Sequence, residues 1–115
     1  IRQEALAHDV VIAESPFTLQ VDSEYGNYVE GAIDLLAYNK GSKDALVVDY
    51  KTGDKGLNAT QIYEHHQMQA NFYAYVLMQR GFTKVECAFV CVEVEEAGQP
   101  HVARYTFDVN HQPRL

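Results

Sequence analysis

The stretch Ala45-Leu46-Val47-Val48-Asp49-Tyr50-Lys51 constrains this chain more than any other. Four consecutive apolar residues without alternation read as a strand covered on both faces, and therefore central in a sheet. The run ends in an acid and a lysine two residues apart, which project to the same side of a strand while Tyr50 projects to the other. Upstream, Gly31-Ala32-Ile33-Asp34-Leu35-Leu36 places a second acid among apolar neighbours. A buried or half-buried carboxylate is costly unless something pairs with it. If residues 28–38 form a strand that turns through Asn39–Asp44 and pairs with 45–51, Asp34 approaches Asp49.

The flanking segments predict the other elements. Residues 1–8 read as the last turns of a helix, and 10–25 as strand-like runs on either side of Pro16. Gly26-Asn27 suits a hairpin turn. A glycine-bearing loop, 52–59, leads to a long helix starting near Asn58 or Thr60 and ending at Gly81, a good residue just past a helix end. Two strands follow, 84–96 and 101–109, around Ala97-Gly98-Gln99-Pro100. Gly31, three residues before Asp34, permits a close approach to the strand backbone. The 115 residues, 47% hydrophobic, suffice for one domain spanning 1–115.

Two carboxylates and the Tyr50 carbonyl form a hard oxygen set suited to Mg²⁺ or Mn²⁺. A lysine beside them can orient a water or offset charge on a transferring phosphate. On the long helix, Ile62, His66, Gln69, Tyr73 and Val76 make one stripe at helical spacing, and its polar members suggest a face turned towards a polar site. An Asp–Lys pair at a strand rim, with Gln69 and Tyr73 bonded to a sheet edge, is the plainer alternative.

Taken in order, Gly31-Ala32-Ile33-Asp34, then Val47-Val48-Asp49-Tyr50-Lys51-Thr52-Gly53, then Gln69-Ala70-Asn71-Phe72-Tyr73 resemble the nuclease domain of the RecB/AddA type, a branch of the PD-(D/E)xK superfamily. Ala13-Glu14-Ser15-Pro16-Phe17 also fits that branch. The resemblance covers about residues 13–80 directly. It implies an α/β fold of restriction-endonuclease type, a central mixed sheet flanked by helices. It implies Asp34 and Asp49 as metal-binding acids, Lys51 as the catalytic lysine and Gln69 with Tyr73 as the helix motif. The implied activity is Mg²⁺- or Mn²⁺-dependent cleavage of DNA phosphodiesters, within a helicase-nuclease of superfamily 1 acting in repair and recombination. Such nucleases also carry an acid or histidine on an earlier helix. Here only Glu4 and His8 precede the first strand, both too close to it, so the first helix is expected to lie upstream and the isolated chain to be incomplete as an enzyme. The rival expectation is a nuclease-like module without catalysis that serves DNA binding or protein docking in a helicase.

The net charge of −7 and pI of about 5.0 argue against a broad basic surface, though not against a local site where a cation reverses the field. No apolar stretch is long enough to span a membrane. Cys87 and Cys91 suggest a reducing, cytoplasmic compartment and read as core residues, two being too few for an iron–sulfur cluster. Tyr63, Tyr75 and Tyr105 could stack on bases but read more simply as core aromatics; His66 could approach the metal site, but His65 and His66 read first as solvated or capping residues, and Glu93, Glu95 and Glu96 as a solvated strand end.

Overall fold

Five strands form one mixed sheet in the order β1-β2-β3-β4-β5, and the apolar run of β3 lies at its centre. The elements are α1 (Arg2–Leu6), β1 (Val10–Asp22), β2 (Asn27–Tyr38), β3 (Asp44–Lys51), α2 (Ala59–Gln79), β4 (Lys84–Glu96) and β5 (Gln99–Phe107). This computed structural model describes residues 2–22 and 27–114, so Gly26 of the expected hairpin turn lies outside the described residues. Neighbouring strands are antiparallel except β3 and β4, which are parallel and joined through α2. The fold is α/β, as the sequence implied.

Alternation assigns each face. Val47, Cys87, Phe89 and Cys91 point towards α2, whereas Leu46, Val48, Ala88 and Val90 point to the opposite face, where Ala5 of α1 packs. Helix α2 buries Ile62, His66, Ala70, Tyr73, Ala74, Val76 and Leu77. Each fully buried Ile, Leu or Val contributes about 1.5–3 kcal/mol. That burial outweighs the cap, worth roughly 1 kcal/mol. The cap decides where the helix starts: Asn58 accepts from the Gln61 N–H, and the Gln61 side chain accepts from the Asn58 N–H. Gly81, at φ 105°, stops it: its N–H donates to the Met78 carbonyl and the Phe82 N–H donates to that of Leu77.

Two expectations need correction. Pro16 does not divide two strands, because β1 runs through it unbroken, with Pro16 opposite Ala32. An edge strand tolerates a proline, since its outward side needs no N–H donor. The last hairpin turns on Ala97 and Gly98 alone, both at positive φ, so Gln99 and Pro100 belong to β5.

The regular alternation of β2 breaks beside Asp34. Ile33 and Leu36 both join the α2-side core although they stand three apart. Across from Asp34, Glu14 of β1 has a positive φ of 54°. Pairing between β2 and β3 ends at Leu35 opposite Val48, one step before the two acids. The strands thus stop pairing where the carboxylates begin.

Gly31 holds a neighbouring ring in place. A Cβ there would stand 2.9 Å from the tip of Phe17, whose ring packs edge-on against Tyr73 at 6.0 Å. Gly31→Ala should therefore cost about 1–3 kcal/mol by overpacking, read as a lowered midpoint in urea denaturation. A neutral result would show that Phe17 moves aside freely.

Candidate active site

Asp34, Asp49, Lys51, Gln69 and Tyr73 meet at the end of β3 facing α2. Asp49 is 3% exposed, and a single oxygen, Oδ2, accepts from the Tyr73 hydroxyl at 2.8 Å and pairs with Lys51 Nζ at 3.3 Å. Gln69 Nε2 donates to the same tyrosine oxygen at 2.8 Å. A chain thus runs Gln69 to Tyr73 to Asp49, across one helical turn and onto the sheet. The Lys51 ammonium also lies 5.5 Å from the centre of the Phe89 ring, within cation–π range.

Asp34 takes the place of a missing ladder partner. Its Oδ2 accepts from the Tyr50 N–H at 3.4 Å, beyond the last paired residues of β2 and β3. Its carboxyl stands near enough to that of Asp49 to raise the latter's pKa. Tyr50 itself is half exposed on the far side of the strand.

The electrostatics follow from this crowding. Burial pushes the Asp49 carboxyl up from its usual 3.8 to about 6, and the neighbouring Asp34 carboxyl pushes the same way, while Tyr73 and Lys51 pull it down. Burial, then Asp49, pushes the Tyr73 phenol far up, so it remains a donor. One lysine faces two acids here. The set has the composition of a cation site: hard oxygens, incompletely neutralised, one of them holding its proton more tightly than a solvated carboxyl.

Glu4 and His8 do not contribute. Glu4 pairs with Arg104, which also bonds Glu86, and the His8 ring bonds carbonyls of α1 itself. Glu93, Glu95 and Glu96 are exposed, as expected. Tyr105 is buried and stacks with half-exposed Tyr63 at 4.4 Å.

His66 departs from the solvated or capping role expected of it. It is 6% exposed and its Nε2 lies 3.0 and 2.9 Å from the two oxygens of Asp54, a residue with no exposed surface at all. His65 Nδ1 lies 3.0 Å from Asp54 Oδ1, and the two imidazoles stack at 4.4 Å. Burial pushes the Asp54 carboxyl up, but the bonds with His66 and His65 outweigh it and hold it below the usual carboxylate range. Cys91 completes the cluster from β4, and its thiol is pushed up to about 11 by burial and then by Asp54. Sequence reasoning missed Asp54. The available signal was an acid between two glycines, Gly53 and Gly56, eleven residues before a histidine pair.

Comparison with known proteins agrees with the architecture. No curated protein matches the chain. A solved structure described as "Crystal structure of SSO0001" superimposes with a TM-score of 0.53 at 19% identity, covering 91% of this chain and 43% of that one. The present chain therefore spans less than half of that protein, and the likeness concerns the fold. A family model described as the PD-(D/E)XK nuclease superfamily matches residues 2–112, nearly the whole chain, with the acids and lysine described above inside it. The chain belongs to the PD-(D/E)XK nuclease superfamily.

Proposed function

We propose that this domain hydrolyses DNA phosphodiester bonds with Mg²⁺ or Mn²⁺, as the RecB/AddA-type nuclease part of a helicase-nuclease in repair and recombination. The observation that carries the reading is the shared oxygen of Asp49, held between Tyr73 and Lys51 with a second carboxyl against it. Such a set is incompletely neutralised by its protein neighbours and well suited to a divalent cation. Asp34, Asp49 and the Tyr50 carbonyl would hold the metal, which when bound supplies Lewis acidity and a water of lowered pKa.

The chain's own groups then have distinct tasks. The Lys51 ammonium orients the attacking water or offsets charge gathering on the phosphate. Tyr73 fixes the Asp49 carboxylate from below, and Gln69 fixes the Tyr73 hydroxyl, so the helix holds the acid at a set angle. Beside this network a groove lined by Phe17, Gly31, Met68 and Phe72 borders Gln69 and Tyr73 and offers an apolar wall to a sugar or base.

Titration of the metal-free chain with Mn²⁺, followed by its electron paramagnetic resonance signal, should show binding that Asp34→Ala weakens at least about tenfold, since even outer-shell changes cost that much. The same preparations are assayed on plasmid and linear DNA. Equal Mn²⁺ binding in both proteins would remove Asp34 from the metal set. A full-length parent that binds Mn²⁺ and never cuts DNA would establish the rival reading, a docking or DNA-binding module.

A further inference from the structure

We propose that Asp54, His66 and Cys91 form a second metal site, selective for a Zn²⁺-class ion and separate from the Asp34–Asp49 pair. One ligand atom from each lies within 4.8 Å of the other two, and all three residues are buried. Around a tetrahedral ion with bonds of about 2.0–2.3 Å, ligand atoms stand on the order of 3.5 Å apart. Asp54 and His66 stand 2.9–3.0 Å apart and the cysteine sulfur within 4.8 Å of both, so the cluster lies near that spacing. His65 Nδ1, 3.0 Å from Asp54 Oδ1, or a water can take the fourth position.

The donor set decides the metal class. Sulfur, imidazole and carboxylate together suit Zn²⁺ or Co²⁺ and ill suit Mg²⁺, which prefers oxygens alone. The Asp54 carboxylate has stronger partners than the thiol beside it. His65 and His66 already satisfy the Asp54 carboxylate, and a thiol is a weak partner for it. Among the described residues Cys91 Sγ otherwise donates to the Phe89 carbonyl at 3.7 Å. No lysine or arginine pairs with Asp54 among the described residues.

The three ligands come from the loop after β3, from α2 and from β4. An ion bound there would tie together the segments that carry Lys51, Tyr73 and Phe89. The Phe89 ring lies between the two sites, edge-on to His66 at 5.4 Å and beneath Lys51. On binding, the Cys91 thiol releases its proton to solvent as the sulfur–metal bond forms.

The test uses the reduced, metal-free full chain and Co²⁺ as a spectroscopic probe. Wild type should develop a thiolate-to-cobalt charge-transfer band together with tetrahedral visible bands, both bleached by Zn²⁺. Cys91→Ser should lose the charge-transfer band, Asp54→Asn should weaken binding at least about tenfold, and Cys87→Ser should keep the band. Asp49→Asn should also keep it, which separates this site from the proposed nuclease centre. Absence of the band in wild type, its persistence in Cys91→Ser or undiminished affinity in Asp54→Asn would overturn the assignment.

Discussion

Lys51→Ala should lower DNA cleavage by about 100- to 10,000-fold, the range lost when a positioned proton-transfer or charge-stabilising group is removed. The fold should survive. The Lys51 side chain reaches from a strand end across the Phe89 ring, and its exposed portion is 21% of the total. Losing its cation–π contact costs about 0.5–1 kcal/mol, no cavity opens in the core, and Asp49, left without its ion pair, holds its proton more tightly. Circular dichroism should change little and the urea midpoint should fall without loss of the folded state, while the cleavage rate of the full-length protein collapses. ATPase activity in any attached helicase should persist. Mn²⁺ binding should also persist, because the lysine repels the cation rather than holding it. Cleavage retained within about tenfold would exclude Lys51 from the chemistry and reduce it to a rim partner of Asp49.

Much of this arrangement is legible in the sequence, for identifiable reasons. The β3 run Ala45–Val48 has no polar face, so it can only be central. Asn58 and Gln61 signal the start of α2, and Gly81 signals its stop, because each satisfies backbone groups locally. Asp49 and Lys51 are two apart on a strand, so their convergence needs no knowledge of the tertiary fold. Gln69 and Tyr73 are one turn apart on a helix for a similar reason.

The features that escaped depend on the surroundings. Pro16 can stay in β1 only because β1 is an edge, a property of strand order. Asp54 sits in an irregular loop, and nothing local says that this loop folds inwards beneath α2. The place of His66 in the α2 stripe is legible, but its burial and its partner are not, because loop geometry places Asp54 on it. Cys91 reads as an ordinary core residue until that loop is in place. Local rules reach as far as periodicity and caps reach, and the second cluster lies beyond them.

Asp49→Asn should abolish cleavage and Mn²⁺ binding and, in metal-free buffer at pH 7.5, should leave the chain more stable than wild type by up to about 3 kcal/mol. The reason is the direction of the Asp49 shift. Its carboxyl titrates at about 6 in the folded chain against 3.8 when solvated, with burial the first cause and the Asp34 carboxyl the second. The folded state therefore holds this proton more tightly than the unfolded one, and ionisation at neutral pH works against folding. Wild-type stability should rise as pH falls from about 6 to about 4, the window between the two values, at up to 1.36 kcal/mol per unit. Asparagine keeps the shape and an acceptor for the Tyr73 hydroxyl but carries no charge, so the variant should already be relieved at pH 7.5 and gain nothing across that window. Asp54 and Asp108 contribute in the opposite sense, since their carboxyls are held low, and their loss falls below the window. The wild-type minus variant difference in urea midpoint, followed from pH 7.5 to 4.5, isolates the Asp49 contribution. Added Mn²⁺ should reverse the order at pH 7.5, because only wild type gains stability from binding it. An Asp49→Asn chain less stable than wild type in metal-free buffer would mean that Tyr73 and Lys51 already satisfy the carboxylate. The site would then be an internal ion pair with no call for a cation, and the docking-module reading would follow.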